Sequence, residues 1–111
     1  MQAEVSIAEP ANAVRGRVLS LVASIYDVPV CDLVRVTRGS TKAAAARQVA
    51  IYLSHTVLAM SFADLSSAFG RTPSTALHAV RKVEAMREDP KIDRMLSWLE
   101  SILRDAAEAG R

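Results

Sequence analysis

The 111-residue chain is poor in the residues that usually carry covalent or metal chemistry. It holds one cysteine, Cys31, so neither an intrachain disulfide nor a cysteine-based zinc site can form. With no histidine or lysine near it in sequence, Cys31 is expected to be a small buried hydrophobe rather than a reactive thiol. The only two histidines, His55 and His78, fall on different predicted helices and lack ligand spacing, so no metal is expected. Ser74 and His78 lie one turn apart, but no acid completes a triad and no oxyanion device is visible. The expectation is therefore of no catalytic residue, no enzyme activity and no cofactor. A GxxxxGK[ST] phosphate loop is also missing, with no room for an ATPase domain, which argues against a nucleotide partner. No stretch approaches the roughly 18 uninterrupted apolar residues of a membrane span. The opening MQAEVSIAEP lacks a basic segment followed by an apolar one, so a cytoplasmic location and no membrane partner are expected.

Aromatic residues are scarce as well, at 5%, although half of the chain is hydrophobic. Ala, Leu and Val carry that apolar content, which favours helices packed closely through small side chains over a β-sandwich. Length and composition together predict one domain over 1–111, with its core at about 10–104. The net charge of +2 is small, but its distribution is uneven. Residues 33–88 contain Arg35, Arg38, Lys42, Arg47, Arg71, Arg81, Lys82 and Arg87 against Asp64, Glu84 and Glu88, whereas both flanks are net acidic. Such clustering fits an anionic partner such as nucleic acid, although a solvated face has the same look.

Hydrophobic spacing predicts six helices. Val14, Val18, Leu21, Val22 and Ile25 mark one face of a first helix at about 9–26. Pro29 breaks it, and a short helix at about 30–35 carries Leu33 inward. RVTRGSTK is a basic loop pivoting on Gly39. Ser40 or Thr41 caps a third helix with Ala46, Val49, Ala50, Leu53 and Val57 inward, expected to be central. Ser61 caps a fourth, with Phe62, Leu65, Ala68 and Phe69 apolar, ending near Gly70. Thr72 caps a fifth whose Pro73 occupies the first helical position, where a missing amide hydrogen costs nothing. Its inner face is Ala76, Leu77, Val80 and Val83, and Ser74, Thr75, His78, Arg81 and Lys82 form the other face. Ile92, Met95, Leu96, Leu99 and Leu103 mark a sixth that closes the bundle. Met86, Met95 and Trp98 are expected to pack between the last helices. The fold class is an all-α six-helix bundle containing a helix-turn-helix at about 61–88. Hydroxyls at a helix start and basic residues one to two turns on suit phosphates and base edges.

The stretch ARQVAIYLSHTVLAMSFADLSSAFG (46–70), followed by STALHAVRKVEAM (74–86), resembles the C-terminal DNA-binding domain of the bacterial replication initiator DnaA. The similarity extends over about residues 10–104. It implies binding of double-stranded DNA by a stand-alone, nucleoid-associated protein that regulates replication initiation or transcription. By position, Arg47, with Gln48 beside it, is similar to a family arginine that contacts the DNA backbone or a minor-groove base. Arg35, Arg38 and Lys42 fall in the family's minor-groove loop. Ser74 and Thr75 take the places of paired threonines, His78 that of a histidine, and Arg81 and Lys82 that of a basic pair. The usual GGRDHTT is GRTPST here, so Arg71 is followed by Thr72 and Pro73 where the family has a base-reading Asp-His pair. Each lost direct contact is worth roughly 1–3 kcal/mol of discrimination, so altered box preference is expected. The altered turn also leaves an alternative: a protein-interaction module that keeps the fold, loses box recognition, and uses outward Leu and Met residues of the sixth helix. The sequence assigns no oligomeric state.

Overall fold

A computed structural model describes residues 2–34 and 40–109, with side chains from Val14 onward. Six helices follow in order: α1 (Gln2–Tyr26), α2 (Cys31–Val34), α3 (Thr41–Leu58), α4 (Phe62–Phe69), α5 (Pro73–Met86) and α6 (Pro90–Ala109). No strand occurs among the described residues. The architecture is the all-α helix-turn-helix bundle expected from the spacing.

Local rules set most of the boundaries. Ser40, Ser61 and Thr72 each sit in extended backbone, and each side chain accepts from the amide three residues on. Gly70 ends α4 in the left-handed region at φ 61°, where glycine carries no Cβ penalty. At the α3–α4 corner, left-handed Ala59 turns the chain and the Nδ1–H of His55 donates to the Met60 carbonyl at 2.9 Å. The His55 ring also stacks on Phe62, with centroids 4.8 Å apart. Together these contacts hold the start of α4 against the end of α3.

α3 is the central helix. It packs against every other one, and Ala43, Ala46, Val49, Ala50, Ile51, Tyr52 and Leu53 are all buried. The small side chains at its start let α1 and α2 approach closely. α5 lies across α3 and α4 with Ala76, Ala79, Val80 and Val83 buried. Leu96, Leu99 and Leu103 of α6 close the core.

Several expectations need correction. α1 begins at Gln2 rather than near residue 9; its apolar stripe starts only at Val14, so the spacing carries no sign of the earlier turns. Ile25 is 42% exposed. The buried positions Val14, Val18, Val22 and Ala23 drift around the helix as α1 crosses α3, because steps of four residues overshoot the 3.6-residue turn. By the last turn that drift has carried Ile25 out of contact. Cys31 is exposed rather than buried, since α2 spans one turn and spends its single inward position on Leu33. Leu77 is only half-buried, with Ala79 taking the inner place. Met86 and Met95 do pack against the core, but Trp98 is 59% exposed.

Candidate nucleic-acid interface

The turn between α4 and α5 is built to present the start of α5. The Arg71 amide donates to the Ser66 carbonyl at 3.0 Å, and the Ser66 hydroxyl donates to the Arg71 carbonyl. The Arg71 guanidinium folds back onto the last carbonyls of α4, bonding Gly70 at 3.1 Å and Phe69 at 3.4 Å. A cation at a helix C-terminus is favoured by the helix dipole and satisfies carbonyls that have no intrahelical donor.

Thr72 then caps α5. Its Oγ1 accepts from the Thr75 amide at 3.2 Å and lies 2.9 Å from the Thr75 hydroxyl and 3.2 Å from that of Ser74. Three hydroxyls therefore crowd the first turn of α5, and the cap satisfies the Thr75 amide, one of those that a helix leaves without an intrahelical partner. Pro73 follows at the first helical position and is exposed. Beyond it Ser74, Thr75, His78, Arg81 and Lys82 are exposed on one face of α5, opposite the buried Ala76, Val80 and Val83. Among the described residues, no side chain of His78, Arg81 or Lys82 forms an ion pair or hydrogen bond. This face is a polar and cationic strip, its hydroxyls drawn toward Thr72 and its His78, Arg81 and Lys82 side chains uncommitted among the described residues.

Lys42 is exposed at the second residue of α3, and Gln48 is half-buried two turns along the same helix. Arg35 and Arg38 lie outside the described residues. Arg47 is placed quite differently from the other candidates. Only 8% exposed, it donates from Nε to the Leu33 carbonyl at 3.2 Å and from Nη2 to the Asp32 carbonyl at 2.7 Å. It thereby ties α2, and so the chain entering the basic loop, to the middle of α3. Burial, and next the charge of Arg71, hold the Arg47 pKa below its ordinary value, with Asp32 opposing them. Two guanidiniums, each on the carbonyl end of a helix, thus lie within each other's field.

Arg87, counted with the basic residues of the middle segment, does not belong to this surface. It caps the α5 C-terminus and donates to Asp93 Oδ1 at 2.7 Å, Ser97 Oγ at 2.7 Å, Glu100 Oε1 at 3.0 Å and Tyr52 Oη at 3.0 Å. Burial opposes its charge, but the bonds to Asp93, Glu100 and Tyr52 outweigh that and raise its pKa above the ordinary arginine value. This clamp joins α5, α6 and α3. Its sequence signal is the seven-residue spacing of Asp93 and Glu100 on one side of a helix that begins three residues after Arg87.

No group of three or more His, Cys, Asp or Glu side chains among the described residues could hold a metal ion. Nor is any described helix long and apolar enough to cross a membrane.

Residues 16–83, more than half of the chain, match the family described as "Bacterial dnaA protein helix-turn-helix". Among curated relatives, the chromosomal replication initiator protein DnaA 1 of Protochlamydia amoebophila (strain UWE25) is 41% identical over 71 residues, covering 61% of this chain and 15% of that protein. The initiator DnaA of Rickettsia canadensis (strain McKiel) is 35% identical over 86 residues, covering 76% of this chain and 18% of that protein. The chain thus spans less than a fifth of the length of these relatives. The crystal structure of a DNA replication initiation factor aligns with a TM-score of 0.74 and 28% identity, covering 87% of this chain and 30% of that one. A replication initiator DnaA bound to AMPPCP and single-stranded DNA shares the fold, with a TM-score of 0.77 at 24% identity over 96% of this chain and 33% of that one. Matched over the α3–α4–α5 segment that shapes the polar strip, the chain belongs to the bacterial DnaA helix-turn-helix family.

Proposed function

We propose that this chain binds double-stranded DNA sequence-specifically, with α5 in the major groove and the segment 35–42 in the minor groove. In this reading it acts at the nucleoid to regulate replication initiation or transcription, and it is not an enzyme. The observation that carries the proposal is the exposed face of α5. Its hydroxyls gather around the first turn, where the Thr75 amide is capped by Thr72, and Arg81 and Lys82 stand one to two turns further on with no side-chain partner among the described residues. Helix N-terminal amides and hydroxyls suit phosphate, and uncommitted cations release counterions when they meet it.

Base reading is the part that differs from the family. Thr72 spends its hydroxyl on the cap and its hydroxyl neighbours, and Pro73 offers only apolar contact, for instance to a thymine methyl. Ser74, Thr75 and His78 are left as the groups able to read base edges. The preferred site therefore departs from the family's usual box where an Asp-His pair would read it.

Selection of bound duplexes from a random library tests binding and preference together. The expected result is a recovered consensus that differs from the usual box, with affinity falling steeply as salt rises. No binding to any duplex at about 50 mM salt would overturn the proposal. A recovered consensus identical to the usual box would refute the role given to Thr72 and Pro73.

A further inference from the structure

The outer face of α6 carries a pattern that neither the core nor the α5 surface uses. Lys91, Arg94, Trp98, Ser101, Asp105 and Glu108 are all exposed and follow one another at steps of three and four residues. That alternation keeps them on one side of the helix, as a seam. Charge along the seam is segregated, with two cations at its start, two carboxylates at its end, and Trp98 and Ser101 between. Trp98 is the chain's only tryptophan and is 59% exposed, with half-buried Met95 and Ile102 at its side.

This order does nothing for α6 itself. A helix dipole favours acids at the N-terminus and bases at the C-terminus, and these four residues run the other way. None of the four forms an ion pair among the described residues; the ion pairs of α6 are those of Asp93 and Glu100 to Arg87. Segregated charge of this kind is, however, complementary to its own reverse.

We infer that the outer face of α6 is a self-association surface, on which a second copy of this chain packs its own α6 antiparallel about a two-fold axis between Leu99 and Glu100. In that register Lys91 meets Glu108 of the second copy, Arg94 meets Asp105, and Trp98 covers Ser101. Each contact occurs twice, as an isologous interface requires. The antiparallel arrangement also sets the two helix dipoles head to tail. A parallel pairing would instead oppose Lys91 to Lys91 and Asp105 to Asp105. One helix face is a small interface by the standard of stable dimers, so the association is weak and concentration-dependent.

The test is sedimentation equilibrium from about 10 µM to 1 mM, with Trp98 fluorescence as a second readout. The wild-type chain is expected to shift from monomer to dimer, with a blue shift of Trp98 emission as the ring leaves water. Arg94→Glu and Asp105→Arg, each at an exposed position with no side-chain bond among the described residues, are each expected to remain monomeric and folded by circular dichroism. Their equimolar mixture is expected to dimerise, because both pairs across the axis are then of opposite sign. The double variant is expected to dimerise alone. A wild type that stays monomeric throughout would overturn the inference, as would single variants that dimerise like wild type. A mixture that fails to associate would overturn the antiparallel register.

Discussion

Arg47 offers the sharpest test, because its structural and DNA-binding roles predict different behaviour of the free protein. Replacement by Met keeps the apolar stem and removes the guanidinium. Two hydrogen bonds to backbone carbonyls are lost, one short at 2.7 Å and one longer at 3.2 Å, from a residue that is 8% exposed. Bonds from a charged donor contribute about 1.5–3 kcal/mol each, and the longer one belongs at the bottom of that range. The carbonyls of Asp32 and Leu33 regain water only in part, so a loss of about 3 kcal/mol is expected. At about 4 °C per kcal/mol for a chain of this size, thermal unfolding followed by circular dichroism should fall by about 12 °C. Arg47→Lys should recover little of this, since an ammonium cannot span both carbonyls with the geometry of a planar fork. A melting temperature within about 4 °C of wild type for Arg47→Met would refute the structural assignment. Weakened DNA binding by such a variant is informative only alongside that melting curve, because the loss of both bonds also slackens α2 against α3.

The other substitutions probe separate parts of the molecule. Arg81→Ala and Lys82→Ala together should leave the melting temperature unchanged and reduce the slope of log affinity against log salt by about 2, as fluorescence anisotropy across a salt series would measure. An unchanged slope would remove both residues from the phosphate contacts. Glu100→Ala, which strips one partner from Arg87 while Asp93, Ser97 and Tyr52 remain, should destabilise the fold by about 2 kcal/mol in urea unfolding. A loss below about 1 kcal/mol would mean that Asp93 and Ser97 suffice to hold the guanidinium. Gly70→Ala should cost about 1–2 kcal/mol from the left-handed backbone alone, read by the same urea titration.

What was legible in the sequence is what depends on neighbours in the chain. Ser40, Ser61, Thr72, Pro73 and Gly70 act within three or four residues of themselves, so the caps, the turn and the polar strip of α5 could be read directly. The placement of Ile25 and Trp98 depended instead on how α1 crosses α3 and how much of α6 the core covers, which periodicity alone does not specify. Cys31 went the other way because a one-turn helix has a single inward place. The partners of Arg47 lie 14 and 15 residues away, and that of Arg87 on Tyr52 lies 35 residues away. For Arg47 nothing near it in sequence marks such bonds, and for Arg87 only the seven-residue spacing of Asp93 and Glu100 does. Counted as charge alone, Arg47 and Arg87 look equivalent to Arg81, while in the fold they are posts rather than free charges.

The Arg87 clamp has a consequence for recognition thermodynamics. By bonding α5 to two other helices at its C-terminal end, it makes α5 an extension of the rigid body, so in the proposed reading little backbone order remains to be imposed when a duplex arrives. The ordering that does remain falls on the long side chains of Arg81 and Lys82. On the proposed function, such a helix settles its angle of approach before encounter and keeps its adaptability in the last few atoms, where it would follow the path of the phosphates.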